Sequence, residues 1–312
     1  MNPRITQQTR ARAPSGPLDL TTLRVVIAVA ESGSISAGSD HAGLAIGAVS
    51  TRIAALEAEL GVRLFERSSR GVRLTAAGHL LVQRGREVLA DADRLTLDLL
   101  DYGQGRQGHV RMLSNASAII EFLPQQLETF KRSHPLIRVE VEERSSPEIP
   151  LALLEGRADL GIVDIPHPIQ GLTFAPLFRD ELVLIVAGQH PLAQASAVRL
   201  QEMLNEDFIC LPDGNAISGR LVAAAAMLGQ SLAIHMQMRS FDAVCRMVAN
   251  GVGVSILPRQ AIGPQLAVLP LRAVSLAEPW AQRIHQLAWR EDLAPLSSTR
   301  ALLRVLRETP AI

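Results

Sequence analysis

The chain has 312 residues, 31 basic and 31 acidic side chains for a formal net charge of zero, and is 47% apolar with few aromatics. That describes about two soluble globular domains with real cores, and it leaves any nucleic-acid contact to a local patch. No apolar run approaches the roughly 18 residues that span a bilayer and the N-terminus lacks a signal-peptide core, so a cytoplasmic protein is expected. Two cysteines, Cys210 and Cys245, exclude a disulfide scaffold and a four-cysteine metal site.

Residues 1–17 carry Arg4, Arg10, Arg12, Pro14 and Pro17 with almost no apolar content. They read as a disordered arm, either a plain tail or a basic arm for a minor groove. Leu20, Leu23, Ile27 and Ala30 then recur at helical spacing up to Gly33, and Ser34 can cap a second helix through about Ala42. Gly43 breaks the chain before Ala48–Leu60, where Val49, Ile53, Leu56 and Leu60 share a face. Two helices across a tight turn form a helix-turn-helix.

After Gly61, the residues around Leu64 and Phe65, the turn Ser68-Ser69-Arg70-Gly71 and the run Val72-Arg73-Leu74 predict a hairpin wing. The region 18–76 is not basic, but its wing is: Arg63, Arg67, Arg70 and Arg73 stand against the single acid Glu66. Guanidinium forks suit phosphate oxygens. A solvated charge run is the bland alternative.

From Ala76, with Thr75 as cap, the residues Leu81, Gly85, Val88, Ala92, Leu95, Leu99 and Tyr102 alternate steps of four and three. That is a seam of about 3.5 residues per turn, suited to pairing with a second chain, or else the buried face of a helix within one subunit. Gly103-Gln104-Gly105-Arg106-Gln107-Gly108 matches a dinucleotide fingerprint letter for letter, but it follows a helix and precedes a strand, so it reads as a hinge.

From His109 strands and helices alternate in two sets: His109–Leu113, a helix to about Ser133, Ile137–Val141, a helix to Glu155 and Leu160–Val163; then strands near Leu182–Val186, Phe208–Leu211, Ile234–Met238 and Val254–Leu257. This predicts an α/β domain of two lobes with a largely parallel sheet. Arg144-Ser145 followed by Gly156 echoes Arg239-Ser240 followed by Gly251, as if both lobes used one unit of capping serine, helix and terminal glycine. Ligands of such sheets lie beyond the carboxyl ends of the strands, at helix N-termini. The candidates there are Ser114, Asn115, Ala116, Ser117, Ser145 and Ser146, and across a cleft Asn215 and Ala216 in the Asp213–Ile217 loop, and Ser240. Each serine could equally be a plain cap. Together they suit a carboxylate or another small anion.

No catalytic constellation emerges. The histidines are scattered, with His134 and His190 each preceding proline; Glu140 and Glu142 share one side of a strand; and neither a metal-ligand spacing nor a G-x-S-x-G elbow occurs. No cofactor, metal or enzyme activity is expected. Cys210 and Cys245 fall in apolar elements and read as inert core thiols rather than a redox pair.

The run 60–67, Leu-Gly-Val-Arg-Leu-Phe-Glu-Arg, followed by Arg70-Gly71-Val72 and Leu74-Thr75-Ala76-Ala77-Gly78, closely resembles the end of the DNA-binding domain of LysR-type transcriptional regulators, and the resemblance extends over almost the whole chain. It implies a multidomain protein: an arm at 1–17, an α-helical winged helix-turn-helix at 18–75, a long linker and dimerisation helix with its hinge at 76–108, and a two-lobed α/β effector domain at 109–312 like type 2 periplasmic binding proteins. Lobe I would take 109–178 and 284–312, and lobe II 179–283. The implied partners are double-stranded operator DNA, a small organic effector, for which the polar helix starts suit an anion, and further copies of the chain as dimer or tetramer through Leu81, Val88, Ala92, Leu95 and Leu99, with RNA polymerase as a further candidate and no membrane.

One departure stands out. Where the family opens its recognition helix with Ser-Gln-Pro, this chain has Ala45-Ile46-Gly47, so a capping hydroxyl and a base-reading amide are absent. DNA contact is then expected from Ile46, Gly47, Ser50, Thr51, Arg52, Arg67, Ser68, Arg70 and Arg73. Ser50 matches the family's serine, while Thr51 replaces its usual basic residue. Ile46 can offer a thymine methyl only an apolar contact, or pack beneath the helix. The rival reading is a solute-binding or enzymatic α/β protein whose N-terminal helices serve only for association.

Overall fold

The computed structural model describes residues 18–68, 71–103, 108–291 and 296–308. The arm, Ser69, Arg70 and most of the expected hinge lie outside the described residues. The chain divides into two compact units, Met1–Leu95 and Thr96–Ile312.

In the first unit, helix α1 (Leu20–Ser32) is capped by Asp19, which accepts from the Thr22 N–H at 2.6 Å, and closes on left-handed Gly33. It buries Val25, Val26 and Val29 as well as Leu23 and Ile27, whereas Leu20 is exposed. The buried face is therefore wider than the expected stripe. Helix α2 (Ile35–Ala42) starts on Ser34, as expected, and packs so tightly on α1 that a Cβ on Gly38 would stand 2.7 Å from the Val29 Cα. Helix α3 (Ile46–Leu60) begins two positions before the expected Ala48, from an extended Ala45 that makes no cap bond.

Strands β1 (Phe65–Ser68) and β2 (Gly71–Leu74) pair antiparallel, Phe65 with Leu74 and Ser68 with Gly71. Gly71 has φ 124° and would press a Cβ to 2.4 Å from the Gly33 carbonyl oxygen, which accepts from the Val72 N–H at 3.0 Å. Only glycine lets the wing root on the end of α1 in this way.

Helix α4 (Ala76–Gly103) is capped by Thr75, whose Oγ accepts from the Gly78 N–H at 3.0 Å. The expected seam divides. Val82 is buried in the head core, with Leu81 and Leu89 packed against it, and Gly85 faces Leu23 of α1. Leu81, expected at a dimer seam, is thus spent in part on its own subunit, because α1 lies along the first turns of α4. Val88, Leu95 and Leu99 are exposed and Ala92 is half-buried.

The second unit runs β3 (Gly108–Ser114), α5 (Ala116–Glu121), α6 (Leu123–Ser133), β4 (Ile137–Glu143), α7 (Ile149–Leu154), β5 (Leu160–Val163), β6 (Leu172–Ala187), β7 (Ala197–Val198), β8 (Phe208–Cys210), α8 (Ala216–Met227), β9 (Ile234–Gln237), α9 (Phe241–Ala249), β10 (Ser255–Pro258), α10 (Gly263–Val268), β11 (Leu271–Leu276), β12 (Gln282–Arg290) and α11 (Ser297–Glu308). Strands β4, β3 and β5 are parallel, but β12 runs antiparallel to both β5 and β6, and β10 and β11 run antiparallel to β6. The sheet is therefore mixed rather than largely parallel.

The cause is β6, a single long strand whose first part pairs with β12 in lobe I and whose last residues pair with β10 and β11 in lobe II. One large apolar core takes its buried residues from Leu182 to Ala281, and two smaller cores draw on residues before and after that stretch. The change of lobe thus falls at 181/182 and 281/282, a few positions inside the expected 179–283.

Candidate functional site

On the head, α3 presents Ile46 and Gly47 at its start. Ile46 is 52% exposed, which rules out its packing beneath the helix, and a Cβ on Gly47 would meet nothing within 4 Å. Ser50 is half-buried, and Thr51 donates its hydroxyl back to the Gly47 carbonyl at 2.9 Å. Arg52 bonds Asp19 at 3.2 Å and the Thr22 hydroxyl at 3.1 Å, so it braces α3 against the start of α1. Arg73 is exposed on β2. Arg70 and the side chains of Arg67 and Ser68 lie outside the described residues.

Glu57, which the sequence did not single out, joins α3 to the wing. One of its carboxylate oxygens accepts from the N–H groups of Leu64 at 2.7 Å and Phe65 at 3.2 Å, and the other lies 3.5 Å from Arg63. Its only sequence signal is an acid one helix end before a strand.

In the effector unit a cavity of about 480 Å³ opens between the lobes. Asn115, Ala116, Ser117, Ser145, Ser146, Asn215 and Ala216 line it. Ser114 is fully buried behind the wall, and Ser240 caps α9, so neither reaches the cavity. The echo between lobes holds only in part: Ser240 is a true cap, whereas Ser145 lies four positions before the start of α7 and bonds Glu148 through its hydroxyl at 2.5 Å. That bond holds the Glu148 carboxyl below the usual carboxylate range.

The wall adds the charges Arg144, Arg239, Arg283, Glu143 and Glu148, which were not among the expected residues, beside Asp213 of the expected loop. Arg144 pairs with Glu142, and Asp213 accepts from Gln237 at 2.9 Å. Arg239 is exposed and has no partner among the described residues.

Beneath the cavity lies a buried polar network. Arg283, 2% exposed, forks onto Asp180 and also bonds Asp164 at 3.3 Å and Ser117 at 3.0 Å. Asp164 in turn holds Arg220 of α8, tying lobe I to lobe II. His285 Nε2 lies 3.0 Å from Asp180, and its Nδ1 lies 3.2 Å from the Asn115 amide nitrogen, which also bonds Ser146. Nδ1 therefore accepts and Nε2 donates. Burial alone would raise the Asp180 pKa, but the His285 bond and the Arg283 charge outweigh it and hold it below its ordinary value. Arg283 and His285 alternate inward on β12, a polar pattern on a core-facing side that was the one available sequence signal.

Both cysteines are buried, and burial pushes each thiol up to about 11, which removes the thiolate that oxidants attack.

The description "Bacterial regulatory helix-turn-helix protein, lysR family" matches residues 20–79, and "LysR substrate binding domain" matches 103–311. A probable HTH-type transcriptional regulator, LrrA of Synechococcus elongatus, is 32% identical over 301 residues, spanning 94% of this chain and 97% of its own. A probable RuBisCO transcriptional regulator of Cyanophora paradoxa is 27% identical over 80% of this chain and 79% of its own. The crystal structure of full-length CbnR complexed with target DNA has a like fold, with a TM-score of 0.62 at 20% identity over 94% of this chain and all of its own. No helix among the described residues is long and apolar enough to cross a membrane.

Proposed function

This chain belongs to the LysR family of bacterial transcriptional regulators, DNA-binding proteins with an effector-binding domain and not enzymes, and from that premise we propose that a small organic anion in the inter-lobe cavity controls its hold on DNA. The observation that supports this is the cavity itself. Polar groups from both lobes converge there, and with Arg144 paired to Glu142 and Arg283 to Asp180, Arg239 is the wall cation left without a partner among the described residues, beside the wall acids Glu143, Glu148 and Asp213. The start of α8 at Ala216 adds the positive end of a helix dipole. An anion bridging the lobes would favour one degree of closure over another, and oligomer packing would carry that bias to the heads.

In this reading the α4 stripe of exposed Val88, Leu95 and Leu99 with half-buried Ala92 joins two chains. The heads then place Ile46, Gly47, Ser50 and Thr51 at base edges and the wing arginines, Arg73 with Arg67 and Arg70, on phosphates, while Arg52 keeps α3 in place. A thermal-shift panel of small carboxylic acids and their neutral amides tests the effector class. Acids should raise the melting temperature, and Arg239→Ala should weaken that response. Equal shifts from the amides, or none from any acid, would count against an anion. Footprinting of the DNA upstream of its own gene, with and without the best acid, then reads the coupling.

A further inference from the structure

One carboxyl group between the lobes is used neither by the cavity wall nor by the head. Glu121 ends α5 in lobe I, and both its carboxylate oxygens are buried without a hydrogen bond that meets ordinary geometry. Among the described residues, the charged groups that act on it are Asp180 of β6 and Arg283 of β12, and the lobe II group that acts on it is the backbone of Ala261, beyond β10. Arg283 is already committed to Asp180, Asp164 and Ser117. Among the described residues no cation is therefore free to neutralise an ionised Glu121.

The end of α5 is held in place by the next residue. The Phe122 ring stacks on Phe178 with centroids 5.0 Å apart, and Phe178 stacks on His285 at 4.3 Å, which is itself bonded to Asp180. Burial first, and the like charge of Asp180 second, push the Glu121 pKa up to about 7.

We propose that Glu121 is a proton-operated brace between the lobes: protonated, it lets the end of α5 pack against lobe II, and ionised, it drives that contact open. An unpaired buried charge is costly, and loosening the contact of the end of α5 with the Ala261 backbone would let water reach it. The sign follows from the shift. The packed state holds its proton up to about pH 7, whereas an exposed glutamate releases it near 4.5. Packing is thus favoured at low pH, weakens as pH rises towards 7, and carries the full cost above it. The consequence for effector binding, that affinity falls above neutral pH, rests on the cavity reading given above; the brace itself does not.

The test uses the full chain with spin labels at Gln125→Cys in lobe I and Met227→Cys in lobe II, both exposed positions, diluted with unlabelled chain. Pulsed-EPR distances should lengthen between pH 6 and pH 8 in the parent and stay at the pH 6 distribution in Glu121→Gln and in Glu121→Leu. Melting temperatures should agree between parent and Glu121→Gln near pH 5 and diverge by roughly 3 °C or more above pH 7.5, with the variant higher. Equal pH response of the distances in parent and variants, or no response in the parent, overturns the brace. So does a melting difference without a distance change. No effector enters these measurements, so failure of the cavity reading leaves them standing, and their failure leaves the cavity reading untouched.

Discussion

Arg283 is the residue on which the effector unit's polar interior depends. Replacing it with Ala leaves Asp164 and Asp180 without their shared cation in a buried site, and urea unfolding of the variant should show a loss of about 3–5 kcal/mol. The lowered pKa of Asp180 sets the acid side of the same dependence. Its contribution is complete above the unfolded value of 3.8 and is lost as pH falls below that towards the folded value, an acid-limb loss that Asp180→Asn should abolish. At the wing, Arg73→Ala should weaken binding to all DNA sequences alike and reduce the slope of log affinity against log salt by about 1. The thiols make a cleaner case. Cys210 and Cys245 should remain untouched by Ellman's reagent in the native protein and react fully in guanidinium, since burial raises both.

At the scale of elements, α3 is the weakest and most instructive. Its extended Ala45 has the backbone of an N-cap without the side chain, so Ala45→Ser should add about 1 kcal/mol to head stability, read as a higher melting temperature. Most boundaries here were legible because the signals are local: Ser34, Gly33 and Thr75 act within one turn of the helices they bound. What was not legible depends on long-range packing. Nothing in the spacing of Leu81 and Gly85 told which side of α4 would meet α1, since a 3.5-residue seam and a buried face share their first positions. The exposed remainder predicts that Leu95→Asp with Leu99→Asp gives monomers in sedimentation velocity, with folding of the head unchanged.

Over the whole molecule, the two-lobed plan was readable from alternating elements, and seven of the nine expected cavity residues line one space. The network beneath them was not, because Asp164, Asp180, Arg283 and His285 are scattered over the chain and meet only when β6 and β12 lie side by side. That pairing carries a further meaning. Glu181 and Gln282 are direct partners across the ladder, and the whole of lobe II is strung between them. In chain topology this is an inserted domain whose two ends meet like the prongs of a clip. Deleting every residue from Leu182 to Ala281 and closing the gap with a two-residue hairpin turn should leave lobe I a single α/β module with its own cores, able to fold without the partner it normally encloses.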